Sequence, residues 1–266
     1  LDRHYVRGES YSLQYDKSVL AGACLPPGSN PEWHVAIRTG KGSLMATITA
    51  VPAHFCVEGR IRKRAIINFL CVHEKLRSKR LAAVLIHEVT RRIAQSQVWE
   101  AMYTAVAALP RPMASPCYTH LPVNLPYLKS VGFVKYHVPR IKSRLDTTLV
   151  PLAPHRLPTL FQRYQEYVKE LPVLLHFASI DDFKHEIAGP HKYTILTDDM
   201  ANFASFVVIS SKHLKNGTDV TAAYLTMCVT TTMPPTTFLR HIAATESSLP
   251  AGTHLLNVLT STTKER

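Results

Sequence analysis

A short basic segment lies between an apolar stretch and an amphipathic one, and it is the part of the sequence best suited to hold a ligand. Residues 65–72 are almost all apolar, residues 73–80 are rich in basic side chains, and residues 81–95 repeat apolar side chains at helical spacing. A buried strand that leads into a helix presents free backbone N–H groups and the positive end of the helix dipole. We therefore predict an anion cradle built with Arg77, Lys79 and Arg80.

The surroundings of the cradle narrow the class of ligand. An apolar strand beside the basic residues suits a phosphate-bearing ligand with an acyl or pantetheine arm. Bare nucleic acid would instead favour basic and aromatic side chains spread over one face. The same basic residues also suit an ordinary solvated helix start, so this alternative stays open.

Other reactive side chains do not form a recognisable site. Cys117 and His120 have the spacing of two zinc ligands but lack a second pair, and no His-Glu-x-x-His run begins at His87 or His185. The sequence also has no Gly-x-Ser-x-Gly elbow and no phosphate-binding P-loop. We therefore expect no metal.

The elements that position the cradle belong to an α/β unit in the first half of the chain. The pattern predicts a meander of three strands, a helix, a further strand, and then a short helix and a strand. Residues 53–57 can extend the second strand before a basic stretch at 58–64. The predicted segments are, in order, 33–38, 43–51, 65–72, 81–95, 101–108, 127–130 and 133–138.

The second half of the chain is expected to form another α/β unit. A polar, proline-punctuated segment at 146–158 indicates the boundary, which gives domains at 1–148 and 149–266. An apolar run at 254–259 lies close to the last residue without an obvious partner, so we expect this half to be incomplete. The predicted segments are helices at 157–170, 180–186 and 238–244 and strands at 193–196, 205–210 and 222–230.

Composition limits the class of protein. The 266 residues include 31 Lys and Arg against 19 Asp and Glu, a formal charge of +12, yet 46% of them are hydrophobic. That is the composition of a folded domain with polyanionic partners, and it excludes a basic disordered tail. Five cysteines without framework spacing, no secretory leader and no apolar run long enough to cross a bilayer predict a soluble cytoplasmic protein with free thiols.

The segment around the cradle also resembles the signature of the N-myristoyltransferases. The resemblance spans most of the chain, strongly to about residue 112 and more weakly afterwards. It continues upstream at 25–28 and 33–34 and downstream at 103–105, 109–112, 203–206 and 222–224. The residues that carry it most strongly are Asn68-Phe69-Leu70-Cys71-Val72-His73, Lys75-Leu76-Arg77-Ser78-Lys79-Arg80-Leu81-Ala82, Val84-Leu85-Ile86 and Glu88-Val89-Thr90-Arg91-Arg92.

The resemblance implies a fold and a set of partners. The fold would be two acetyltransferase-like halves with mixed sheets, of the GNAT type, related by pseudo-twofold symmetry. The first half would bind acyl-CoA, and the second would supply much of a peptide groove. The partners would be myristoyl-CoA as co-substrate without a further cofactor, proteins with an N-terminal glycine, and the ribosome or its nascent chains, for a monomeric enzyme. The residues expected to hold CoA are Arg77, Ser78, Lys79, Arg80, Leu81 and Ala82.

The resemblance also implies roles for individual residues. The backbone N–H groups of Phe69 and Leu70 would form an oxyanion hole for the thioester carbonyl, while Asn68 and Thr104 would hold the glycine amine. The residues expected to line the peptide groove are Tyr15, Tyr118, His120 and Ser205. Each of these side chains also suits an ordinary structural role, Asn68 at a strand end and the tyrosines as half-buried aromatics.

One catalytic group of the family, the base, is expected to be missing. In the family the base is the C-terminal carboxylate, reached after a further stretch of sheet, and this chain ends before that stretch, at Arg266. We therefore expect one of two functions. The protein either transfers myristate with a base that the sequence does not identify, or it is catalytically silent and binds acyl-CoA or glycine-initiated peptides. A basic RNA-binding domain using residues 60–64 and 77–80 is a third possibility.

Overall fold

The computed structural model describes residues 4–5, 10–105, 110–143, 145–171, 173–189, 191–245 and 247–261, and it shows a mixed α/β protein. The strands are β1 (Tyr11–Gln14), β2 (Val35–Arg38), β3 (Leu44–Val57), β4 (Arg60–Val72), β5 (Ala101–Tyr103), β6 (Pro116–Pro122), β7 (Leu149–Pro151), β8 (Val173–His176), β9 (Lys192–Thr197), β10 (Asn202–His213), β11 (Asp219–Thr230) and β12 (Leu255–Ser261).

The helices connect these strands. They are α1 (Lys17–Cys24), α2 (Leu81–Gln95), α3 (Leu125–Ser130), α4 (Leu157–Tyr167), α5 (Ile180–Ala188) and α6 (Pro235–Ala244), with short 3-10 turns at Pro31–Trp33, Glu74–Lys79, Pro154–Arg156 and Val168–Glu170. None of the helices in the described ranges is both long enough and apolar enough to cross a bilayer.

The chain divides into two compact units. The first contains Leu1–Ala108 and Leu171–His185, and the second contains Leu109–Glu170 and Glu186–Arg266. This division differs from the boundary predicted at 148/149. The reason is a non-local strand pairing, because β8 returns to the first unit and pairs antiparallel with the end of β3, where Phe55 faces Leu175.

The first unit is built on a sheet with the order β2-β3-β4-β5. β2 pairs with the beginning of β3, β8 pairs with its end, and β4 and β5 run parallel. The connection between β4 and β5 contains α2, whose bounds confirm the helix predicted at 81–95. Its residues Leu85, Val89 and Ile93 form a buried stripe that packs in the core with Trp33 and Ile48.

The second unit has a sheet with the order β6-β12-β11-β10-β9-β7. β11 and β12 are parallel, and the other neighbours in this order are antiparallel. Helix α6 contributes Phe238 and Ile242 to a core that includes Phe206 and Leu256. The apolar run near the end of the chain therefore has partners, because β12 lies between β6 and β11.

The structure corrects three predicted segments. Residues 60–64 belong to β4, where they pair with residues 53–57 of β3. Residues 133–138 form no strand, because the N–H groups of Phe133 and Val134 both bond the Leu128 carbonyl at the end of α3. Of the strand predicted at 101–108, residues 101–103 are extended as β5, and residues 106–108 lie outside the described residues.

Replacement of a single core residue of α2 should destabilise the first unit. Leu85 is 1% exposed, whereas its neighbour Val84 is 56% exposed. We expect Leu85→Ala to lower the free energy of unfolding by about 2–5 kcal/mol, because the transfer and cavity terms add. The matched control Val84→Ala should change it by about 0.5 kcal/mol or less. Equal effects of the two variants in urea denaturation would contradict the packing described for α2.

Candidate functional site

The pairing of β4 with β3 is interrupted at Phe69 and Leu70. Cys71 of β4 faces Thr47 of β3, and Asn68 faces Thr49. Phe69 and Leu70 therefore lie opposite the single β3 residue between Thr47 and Thr49. This is a β-bulge, and Phe69 has a φ of +52°. Such left-handed backbone is uncommon for a residue other than glycine and costs on the order of 1–3 kcal/mol.

Aromatic packing holds the bulge in place. The Phe69 side chain is buried, and its ring lies 5.6 Å from the ring of Tyr5 and 5.7 Å from that of Tyr15, centroid to centroid. On the neighbouring strand, the Thr49 hydroxyl donates a hydrogen bond of 3.0 Å to the Asn68 carbonyl. The predicted groove residue Tyr15 therefore lies against the bulge.

The Tyr5 side chain packs against the bulge through its ring. Burial raises the pKa of Tyr5, and the nearby Phe69 backbone opposes that rise. The backbone of the bulge therefore lies close to a polar group outside the sheet.

The two predicted amine-holding residues come directly after the last pair of the parallel strands. The β4–β5 pairing runs to Ile67 opposite Tyr103, Asn68 is the next residue of β4, and Thr104 follows the end of β5. Asn68 is half-buried and Thr104 is exposed. Their joint role in holding an amine stays a prediction.

The predicted cradle follows the end of β4, in the basic turn that leads into α2. The 3-10 turn Glu74–Lys79 ends at Arg80, which has a left-handed φ of +57° and caps α2 without a side-chain hydrogen bond. The amides in the first turn of α2 therefore have no side-chain cap from this residue. Ser78, Lys79 and Arg80 are exposed around this helix start, so dipole and side chains together favour an anion.

Arg77 has an additional structural role that the sequence did not reveal. Its Nη2 donates to the His4 carbonyl at 2.8 Å, and its Nε donates to the Val72 carbonyl at 3.4 Å. The guanidinium has five N–H donors, so these contacts leave others available for a ligand. Nothing in the local sequence indicates this contact, because it joins residues 73 positions apart.

Two of the predicted groove residues share one face of the second unit's sheet. Tyr118 and His120 are alternate residues of β6, and His120 faces Asn257, which in turn faces Tyr224. The Nδ1 of His120 lies 2.6 Å from the Asn257 side-chain oxygen, and the ring of Tyr118 meets that of Tyr224 edge-on at 5.9 Å. Asn257 was missed by sequence reasoning, although a lone amide in the apolar run 254–259 was a usable signal.

Ser205 lies deeper in the same sheet. It is fully buried, and its hydroxyl lies 2.6 Å from that of Thr194, which also bonds the Ile187 carbonyl. The Thr226 hydroxyl donates to the Ser205 carbonyl beside a second bulge. The hydroxyl of Ser205 is thus engaged within the sheet, and its role in a peptide groove stays a prediction.

Two further expectations concern the C-terminal carboxylate and a metal site. Arg266, whose carboxylate would be the last group of the chain, lies outside the described residues. Within those residues, no three His, Cys, Asp or Glu side chains are placed to hold a metal ion.

Comparison with known proteins identifies the family. Residues 1–117 match the model described as "Myristoyl-CoA:protein N-myristoyltransferase, N-terminal domain". Over 241 residues, 81% of the chain, the sequence is 33% identical to the glycylpeptide N-tetradecanoyltransferase of Eremothecium gossypii, of which it covers 53%. Over 247 residues, 84% of the chain, it is 34% identical to glycylpeptide N-tetradecanoyltransferase 1 of Arabidopsis thaliana, of which it covers 57%.

A solved structure agrees with the sequence matches. The crystal structure of Saccharomyces cerevisiae N-myristoyltransferase with bound myristoyl-CoA is 25% identical in sequence and superposes with a TM-score of 0.83. The superposition covers 97% of this chain and 68% of the yeast chain. The chain belongs to the N-myristoyltransferase family. The expected fold class is confirmed, with mixed sheets like those of N-myristoyltransferase structures.

The chain spans just over half the length of the curated N-myristoyltransferases it matches. The family model ends at residue 117, so it includes Phe69, Leu70 and the cradle. Most of the second unit lies beyond that model and is matched through the longer sequence and structure comparisons.

The thiols of this N-myristoyltransferase family member should differ widely in reactivity. Cys117 is exposed. Burial raises the pKa of Cys71, which follows Leu70, and it raises the pKa of Cys228 to about 12. Because only the thiolate reacts, a thiol with a raised pKa stays protonated at pH 8. We expect Ellman's reagent to modify Cys117 first and Cys228 last, with Cys71 between them.

The same reaction in 6 M guanidinium chloride is the control, where all five cysteines should react at similar rates. Peptide mass mapping assigns each modification. Modification of Cys228 as fast as that of Cys117 in the folded protein would contradict the burial described here.

Proposed function

We propose that this chain binds myristoyl-CoA through its first unit and transfers the myristoyl group to the N-terminal glycine amine of a peptide. The observation that carries the proposal is the bulge at Phe69 and Leu70 in the strand that leads, through one basic turn, into the start of α2. The name of the relatives, glycylpeptide N-tetradecanoyltransferase, and the myristoyl-CoA bound to the yeast enzyme support this choice of substrates.

The helix start would hold the phosphates of CoA. Uncapped amides in the first turn of α2 give hydrogen-bond donors and a partial positive charge. Lys79 and Arg80 are exposed there and add full charges, and Arg77 retains donors beyond its bonds to His4 and Val72. A ligand anchored in this way extends its acyl arm along apolar surface of the first unit.

The bulge would act on the thioester carbonyl. When an amine attacks the carbonyl carbon, negative charge develops on the carbonyl oxygen, and fixed N–H donors stabilise that charge. One such donor is typically worth about 2.7–4 kcal/mol. The Tyr5 ring packs on Phe69 beside the bulge, so in the complex the thioester carbonyl would approach the bulge amides next to this aromatic side chain.

The remaining groups account for the amine and the leaving group. Asn68 and Thr104 would orient the glycine nitrogen for attack, which converts a bimolecular step into one within a complex. The new C–N bond forms, the C–S bond of the tetrahedral intermediate breaks, and CoA leaves as a thiol. The ammonium group loses two protons overall, one to the thiol sulfur and one to solvent.

The peptide chain would lie on aromatic and polar side chains. Tyr15 packs on the bulge, so it is suited to the first residues of the peptide. Tyr118 and His120 of the second unit are also proposed peptide contacts, and Tyr224 and Asn257 touch them. The hydroxyl of Ser205 is the least available of the predicted groove contacts, because Thr194 already bonds it.

The transfer itself is tested with myristoyl-CoA and two peptides that differ only in their first residue, glycine or alanine. We expect release of free CoA and a myristoyl adduct in mass spectra with the glycine peptide alone. Tight binding of myristoyl-CoA without CoA release would show a silent acyl-CoA-binding protein and end the transferase proposal. Absence of acyl-CoA binding together with RNA binding that weakens steeply with salt would overturn both.

The cradle should depend on particular arginines and not on total charge. We expect Arg77→Ala with Arg80→Ala to raise the Kd of CoA by about tenfold or more, because each lost charged hydrogen bond is worth about 1.5–3 kcal/mol. Arg60→Ala with Arg62→Ala removes the same charge elsewhere in the first unit and should leave the Kd nearly unchanged.

Isothermal titration calorimetry at fixed ionic strength measures both double variants. Arg80→Ala alone should also weaken binding, although it leaves the Arg77 bond to His4 in place. Equal losses from the two double variants would mean that only diffuse charge attracts CoA, contrary to the proposal.

A further inference from the structure

The second unit contains a cavity that the proposed transfer does not use. Its volume is about 640 Å³, within the range of small-molecule sites. It lies between the chain after β6, helix α3, the C-terminal end of α6 and the loop before β12. Apolar side chains form most of the wall, among them Val123, Pro126, Ile141 and Leu249.

Hydrogen bonds hold the walls of the cavity in a fixed arrangement. The N–H groups of Val123 and Asn124 both donate to the His254 carbonyl at 3.0 Å, and the side chain of Asn124 caps α3. The ring of Tyr127 stacks on that of His254 at 4.0 Å, and its hydroxyl bonds the Asp219 carbonyl at 2.7 Å. The cavity is therefore pre-formed, which lowers the entropic cost of binding.

The charge at the cavity is of one sign. Lys129 and Arg140 line it, and both residues are exposed. None of the described lining residues is an aspartate or glutamate. Cations beside an apolar wall match a ligand with an anionic head and a hydrocarbon body.

One polar group in the wall can adapt to a ligand. Thr253 is 7% exposed, and its Oγ1 is buried without a hydrogen-bond partner. A rotation of this side chain toward the cavity therefore breaks no hydrogen bond. A ligand oxygen beside the Thr253 hydroxyl would then supply its missing hydrogen-bond partner. Buried hydroxyls nearly always have such a partner.

We propose that this cavity is a second ligand site, one that binds an organic anion with a compact hydrocarbon body, its carboxylate or phosphate at Lys129 and Arg140. The bound body would lie on Val123, Ile141 and Leu249. The site differs from the cradle of the first unit because its cations face an apolar wall without help from a long helix start.

Binding is tested on the whole chain with four probes that share one hydrocarbon chain. Octanoate and octyl phosphate carry the two candidate anionic heads, and 1-octanol and octylamine are the neutral and cationic controls. We expect one or both anions to bind, with shifts of the Val123 and Gly252 amide signals in NMR spectra, and the stronger of the two identifies the head group. Equal binding of all four probes, or shifts confined to residues 65–82, would overturn the proposal.

Three variants separate this site from non-specific attraction. Lys129→Gln with Arg140→Gln should weaken binding of the anion about fivefold, because two partly exposed ion pairs are lost. Lys212→Gln with Lys215→Gln removes the same charge from the end of β10 and the turn after it, and should leave the affinity unchanged. Ala244→Phe places a ring in the cavity and should abolish binding.

Thermal melting and far-UV circular dichroism establish that each variant is folded. If Ala244→Phe does not fold, the comparison of the Lys129→Gln/Arg140→Gln variant with the Lys212→Gln/Lys215→Gln variant still tests whether the anion binds at this cavity. Equal affinities of these two double variants would show that the anion does not bind at Lys129 and Arg140.

Discussion

The first unit depends on one backbone constraint, the left-handed conformation of Phe69 within β4. In a regular strand the N–H groups of Phe69 and Leu70 would follow the alternating hydrogen-bond pattern of the ladder with β3. The bulge removes Phe69 and Leu70 from that pattern, and the rings of Tyr5 and Tyr15 hold it by packing on Phe69. The conformational cost is offset by burial of an aromatic side chain, which a glycine at this position could not provide.

In the proposed complex, the position of the bulge in β4 would link the thioester carbonyl to the phosphate end of the ligand. β4 ends at Val72, and the basic turn and α2 follow at once, so a single continuous segment supplies both ends of the proposed site. The excess charge of the first unit is not all available for binding. Arg62 and Arg64 pair with Glu100, and Lys63 lies over the Trp33 ring, which leaves the helix start as the better anion site.

Local patterns in the sequence were sufficient to predict elements formed by residues close together in the chain. The spacing of Leu85, Val89 and Ile93 predicted α2 with its observed bounds, because one face of a helix must be apolar to join the core. Long-range contacts could not be predicted in this way. The return of β8 to β3 and the bond between Arg77 and His4 depend on residues far apart in the chain. The φ of Phe69 was also beyond composition and periodicity, since aromatic residues rarely adopt it.

We propose that the bulge amides of Phe69 and Leu70 polarise a thioester carbonyl. The most direct measurement is the infrared stretching frequency of myristoyl-CoA labelled with ¹³C at the carbonyl carbon, free and bound to the protein without peptide. Hydrogen bonds from fixed amides lengthen the C=O bond, so we expect a band at lower frequency in the complex than in water. A bound band at or above the frequency in water would place the carbonyl away from both amides and would rule out this role for the bulge.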